Sequence, residues 1–209
     1  MRTVNNRIGL LSLLVSLCVA GCATTPTEAP PARIEIQDAV GFTIVEEAHI
    51  DGDVRADYER GLELLRQQRE REGIAILKQA VAGNPHLATP HIDLGIALHA
   101  AGDLEAAEQS LKQALAINPQ HPIALNELGI VYRKTGRFAE ARQSYEAALD
   151  FYSGYHYARR NLAVLCDLYL ADLRCALQNY EAYMQTVPED REVSIWIADL
   201  KLRMEGGMR

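Results

Sequence analysis

The sequence predicts an all-α solenoid built from a repeating helical unit, and three observations carry that prediction. Residues recur at a step of 34: Gly61, Gly95 and Gly129; Leu64, Leu98 and Tyr132; Leu77, Leu111 and Tyr145; Ala80, Ala114 and Ala148. Asn84-Pro85 and Asn118-Pro119 close two of the units. Proline lacks an amide donor and biases the residue before it away from helix. Near the C-terminus, Val193, Ile197, Leu200 and Met204 share one helical face. One unit cannot bury its apolar side alone, so stacking of neighbours supplies the core.

Taken in order, residues 1–21 read as a lipoprotein signal peptide. Arg2 and Arg7 give a positive start, and Ile8 to Ala20 is an uncharged apolar run. Such a run is too short to span a bilayer as a helix and suits a signal-peptide core. It ends in Val19-Ala20-Gly21-Cys22, which resembles the bacterial lipobox. That resemblance implies cleavage before Cys22 and acylation of its thiol, an anchor of several buried acyl chains. Ala23 in the following position implies sorting to the outer membrane, facing the periplasm. Loss of Arg2 and Arg7 takes the net charge from −7 to about −9. Residues 22–33, rich in proline, threonine and alanine, read as the lipid anchor and a semi-extended tether. Residues 34–53 lie outside the period. Ile34 and Ile36, then Val40, Phe42 and Ile44, alternate as in a strand. An extended segment lying against the helices and a loose loop are the two readings.

Residues 54–188 carry the repeats, in units 54–87, 88–121, 122–155 and 156–188. The second unit shows Leu94-Gly95, Leu98, Ala107, Leu111 and Pro119; the third shows Leu128-Gly129, Tyr132, Ala141, Tyr145 and Ala148. This pattern resembles the tetratricopeptide repeat. The first unit fits less well, with Arg60 in place of leucine and Gly73 in place of alanine. In the fourth, Ala176, Tyr180 and Pro188 fall one residue late, which places a one-residue insertion near Ala171-Asp172. The resemblance implies a tetratricopeptide-repeat solenoid of about four helix-turn-helix repeats. Gly95 is expected to face Ala107 so that paired helices approach closely. Leu98 and Leu111 are expected to fill the space between units. Residues 189–209 form a C-terminal capping helix and tail, with Arg191, Glu192, Asp199 and Arg203 on its polar outer side.

In this repeat family the first helix of each unit lines a concave groove. Carried over by position, the groove holds Arg55, Tyr58, Leu62 and Arg66 from unit one, and Ile96 and His99 from unit two. Asn126, Ile130, Arg133 and Lys134 follow from unit three, then Tyr157, Arg160 and Val164 from unit four. Leu62, Ile96, Ile130 and Val164 make an apolar floor. The basic wall stands out in a chain of net charge −7, and favours an extended acidic or amphipathic peptide. Basic side chains balanced by nearby acids such as Glu63 and Glu127 are the plainer alternative.

Cys166 and Cys175 occupy facing positions of the fourth helix pair. An oxidising compartment permits a disulfide between them, and two buried thiols packed as small hydrophobes are the alternative. Nine residues apart, they lack zinc-knuckle spacing. The six histidines show no His-Glu-x-x-His run. No Gly-x-Ser-x-Gly, phosphate loop or dinucleotide fingerprint occurs, so an enzyme, a cofactor, a metal and a small-molecule substrate are not expected. A pI near 5.4 argues against nucleic acid as partner. What remains is a non-catalytic adaptor lipoprotein that binds protein or peptide. Family resemblance extends to pilotins and assembly factors for pili or secretion systems. It extends also to adaptors for cell-wall hydrolases; an accessory structural subunit of an energised envelope complex is the alternative class.

Overall fold

The computed structural model describes residues 33–37, 41–45 and 52–206. The expected signal peptide, the acylated Cys22 and nearly all of the tether lie outside the described residues. Strand β1 (Arg33–Gln37) pairs antiparallel with β2 (Gly41–Val45), with Ile34 opposite Ile44 and Ile36 opposite Phe42. The alternating segment thus makes a hairpin with itself.

Nine helices follow among the described residues. They are α1 (Gly52–Arg66), α2 (Glu70–Gly83), α3 (Ala88–Ala100), α4 (Leu104–Ile117), α5 (Pro122–Lys134), α6 (Phe138–Phe151), α7 (His156–Leu168), α8 (Leu173–Thr186) and α9 (Arg191–Gly206). Packing is densest within α1–α2, α3–α4, α5–α6 and α7–α8, four helical hairpins in sequence. Between hairpins, α3 touches α5 and α5 touches α7, whereas the second helices pack no comparable row among themselves. The first-helix layer is therefore the tighter one, and the array curves with that layer on its concave side.

The 34-residue step has a concrete cause in the turns. Gln68, Gly102 and Gly136, each 34 apart, sit at positive φ of 61°, 86° and 77°. Behind them, Arg69, Asp103 and Arg137 donate their N–H groups to the carbonyls of Leu64, Leu98 and Tyr132. These are helix-ending bonds that need a left-handed residue. In the fourth hairpin the left-handed residue is Ala171 at φ 52°, and Asp172 reaches back six residues, not five, to Cys166. The extra residue is taken up in this turn. Asp103 and Asp172 then cap α4 and α8, their carboxylates accepting from the N–H groups of Ala106 and Cys175.

Inside each hairpin a glycine lets the two helices close. A Cβ on Gly129 would stand 2.5 Å from Tyr145 Cε1, and one on Gly95 would stand 2.7 Å from Leu111 Cγ. Gly95 meets Ala107 as expected, and Leu111 covers it as well. Gly95 faces the Leu111 side chain first, with the Ala107 carbonyl oxygen farther off at 3.4 Å. Leu111 thereby fills its own hairpin beside that glycine. The reason is helix stagger: a side chain one turn further along covers the small residue. The core runs continuously from Leu77 through Leu111, Tyr145 and Tyr180 to Val193 and Leu200.

Helix α9 departs from a simple cap. Val193 and Leu200 are buried, yet Ile195 and Leu202 are each 68% exposed, so its outer side is partly apolar.

Candidate functional site

The concave layer presents α1, α3, α5 and α7. Leu62, Ile96, Ile130 and Val164 recur along it at the 34-residue step, each half-buried against the core. They form an apolar row because that position of each first helix faces inward but has no second helix above it.

Neighbouring first helices are stitched together by a second repeating contact. The Tyr58 hydroxyl donates to Asp93, and Asn161 Nδ2 donates to Asn126 Oδ1 at 2.9 Å. Asn126 Nδ2 in turn donates to Glu127 Oε1 at 3.0 Å. Burial pushes the Asp93 and Glu127 carboxyls above the usual carboxylate range, while the bonds from Tyr58 and Asn126 pull the other way. Asn126 is only 2% exposed and spends its amide between helices, so it offers a ligand nothing. This corrects its placement on the groove wall. A position that faces the next first helix is used up in stacking.

Arg160 is corrected for the same reason. Its guanidinium pairs with Glu192 at 3.2 Å and lies 5.1 Å from the centre of the Trp196 ring, both on α9. Trp196 stands 35 residues after Asn161, which itself follows Glu127 and Asp93 at steps of 34. Allowing for the inserted residue, α9 takes the place of the first helix of a fifth unit. That 35-residue step was the signal in the sequence that would have placed α9 in the groove. Arg203 of α9 pairs with Asp167 of α7. Between α7 and α9 a cavity of about 370 Å³ opens, lined by Val164, Leu168, Tyr180 and Trp196 with the Asp167–Arg203 pair. Leu168 at its mouth is 68% exposed.

The remaining cations divide. Arg66 is exposed and held by Glu63 at 2.9 Å, and Arg55 is exposed at the mouth of a cavity of about 190 Å³ between α1 and α3. At the centre, Arg133 lies 5.8 Å from the centre of the Tyr169 ring, and Lys134 is exposed. Among the described residues no carboxylate forms an ion pair with either. Part of their charge answers the C-terminal dipole of α5, whose last turn they occupy. His99 registers the local potential: burial first, then Lys134 and Arg133, hold its imidazole below the ordinary histidine pKa. Tyr157, 58% exposed, lies at the far wall, its ring 4.1 Å from that of His156.

On the other side of the fourth hairpin, Cys166 and Cys175 are joined, their Cα atoms 5.9 Å apart. Asp172 comes close to both sulfurs, but sulfurs bonded to each other are not metal ligands. Among the described residues, no helix is long and apolar enough to cross a membrane.

The comparisons agree with this geometry. The tetratricopeptide-repeat family model matches residues 58–122 and 92–156. The fold is similar to that of MamA from Desulfovibrio magneticus RS-1, at 19% identity and a TM-score of 0.67, covering 75% of this chain and 88% of that one. It is similar to pilF of Pseudomonas aeruginosa, at 21% identity and a TM-score of 0.66, covering 73% of this chain and 69% of the other. The first tetratricopeptide domain of Spaghetti (RPAP3), solved with the HSP90 peptide SRMEEVD, aligns at 20% identity and a TM-score of 0.55 over 60% of this chain and 99% of that one. No curated protein matches the sequence. The chain folds as a tetratricopeptide-repeat solenoid.

Proposed function

We propose that this tetratricopeptide-repeat solenoid is a non-catalytic adaptor that holds an extended, acidic or amphipathic segment of a partner protein in its concave groove. We place it on the periplasmic face of a bacterial outer membrane, anchored through acylated Cys22. The carrying observation is the pair Arg133 and Lys134, without carboxylate partners among the described residues, on the same helix as Ile130 of the apolar row. Such cations next to apolar surface favour a ligand that brings both acid and apolar groups. The anchor rests on the sequence around Cys22, and the tether lifts the solenoid off the lipid surface. A pilotin-like role in assembling a pilus or secretion complex is the reading we favour, resting on the lipobox-like end at Cys22 together with the repeat solenoid. The exposed Ile195 and Leu202 on α9 favour a second reading, an accessory subunit that docks by the open end of the stack.

The test is site-specific crosslinking in cells, with a photoreactive residue at Tyr157 or at Ile195. Partner adducts at Tyr157 that disappear in Arg133→Gln/Lys134→Gln support the groove. Adducts confined to Ile195 support the end-docking subunit and sink the groove reading.

A further inference from the structure

We infer that the groove reads a two-part motif, an acidic side chain held by Arg133 and Lys134 next to a bulky apolar side chain seated in the slot between α7 and α9. The inference rests on the groove reading above and narrows it to a ligand chemistry. Three observations bear on it. Of the cations expected to line the wall, Arg160 and Arg66 are spent on Glu192 and Glu63. Arg55 stands apart on α1, so the cations that remain side by side are Arg133 and Lys134, at the end of α5. Next, Arg133 is oriented: its guanidinium lies over the Tyr169 ring, which is at the end of α7 one residue beyond Leu168. The charged place and the slot mouth are therefore adjacent along the groove. Finally, the slot is apolar in its walls and stays open. Val164, Leu168 and Trp196 form it, and the Asp167–Arg203 pair closes one side without filling it.

The physical consequence is a division of labour. A carboxylate placed at Arg133 and Lys134 meets positive charge that no carboxylate among the described residues pairs with. An apolar side chain in the slot removes Leu168 and part of Trp196 from water, and gains in proportion to the area covered. Neither contact requires the stacking contacts between first helices to open.

The experiment selects ligands from a random twelve-residue peptide library on the soluble domain, residues 23–209, with β-, α- and cap elements all retained. Affinities of the selected peptides are then measured by fluorescence anisotropy. Selected sequences should pair Asp or Glu with Leu, Ile, Phe, Trp or Met at a constant spacing. Arg133→Gln/Lys134→Gln should weaken them by about tenfold or more and abolish the enrichment in acids on reselection. Leu168→Glu should abolish the apolar preference and leave the acidic one. Circular dichroism equal to wild type establishes that each variant is folded. Peptides that compete at Tyr157 but carry no acid–apolar pairing overturn the motif and leave the groove standing. Peptides insensitive to every groove variant, or no selection at all, overturn both. A dimer in the absence of peptide that Leu168→Glu converts to monomer shows the slot to be a subunit interface, and also overturns the motif.

Discussion

His121 caps α5, its Nδ1 accepting from the N–H of Ala124 at 3.4 Å, and it is only 2% exposed. Burial takes its pKa from 6.5 down to about 4. The unfolded chain therefore binds a proton that the folded chain refuses. Stability from this group is complete above pH 6.5 and falls as the pH drops toward 4, by about 3 kcal/mol in all. Asp93 and Glu127, raised by burial, act in the opposite sense. Urea melts of His121→Asn beside wild type isolate the histidine: the loss between pH 6.5 and 5 should be smaller in the variant, because asparagine also caps and carries no proton. Gly129 gives a second prediction at this scale. Tyr145 is fully buried and cannot yield to a Cβ at 2.5 Å. Gly129→Ala should cost about 1–3 kcal/mol by overpacking, read as a lowered Tm. Ala171 is the reverse case. Its left-handed φ of 52° suits glycine, so Ala171→Gly should stabilise by about 1 kcal/mol.

The fourth hairpin differs from its neighbours as an element. Its turn holds one extra residue, and its helices are tied by Cys166–Cys175. The tie closes a short segment, so reduction should cost about 2–3 kcal/mol by loop entropy. A thermal melt with and without reductant measures it, and Cys166→Ala/Cys175→Ala should melt at or below the reduced protein. The consequence extends beyond the hairpin, because α9 packs on α8 and its Arg203 reaches Asp167 on α7. Loosening the α7–α8 pair therefore loosens the slot. Helix α9 itself follows the same logic. It occupies the place of a first helix, and its Ile195 and Leu202 are exposed.

At the scale of the molecule, the solenoid separates two kinds of surface. The chain is net acidic, yet the end of α5 on the concave side is positive, carrying Arg133 and Lys134 in its last turn. Such a difference steers an acidic segment toward the groove and weakens with salt, since screening acts on exposed charge. Arg133→Gln/Lys134→Gln should abolish partner capture with helical content intact, because Lys134 is exposed and glutamine keeps a polar group beside Tyr145 and Tyr169, the neighbours of the half-buried Arg133. Arg160→Glu should behave differently. It removes the anchor of α9, so it should lower the Tm as well as binding. At the other end of the chain, Cys22→Ser should leave an unprocessed or soluble protein. Its fractionation with outer membranes like wild type would contradict acylation.

The sequence by itself determined the repeat, because the 34-residue step records constraints internal to each hairpin. A left-handed turn residue at Gly102 and Gly136, a glycine beneath a large side chain at Gly95 and Gly129, and proline after the second helix are local requirements that recur in residue type. The displaced Ala176, Tyr180 and Pro188 even located the extra residue of the fourth turn. Only the tertiary structure decided which groove positions remain free. Asn126 and Arg160 occupy the same place in their units and look alike by period, yet one spends its amide on Asn161 and the other its charge on Glu192. Such contacts join residues a whole unit apart, and their chemistry changes from unit to unit, so no period records them. The slot between α7 and α9 exists for the same reason: it depends on where α9 comes to rest, which is set by packing on α8 and not by any motif of its own.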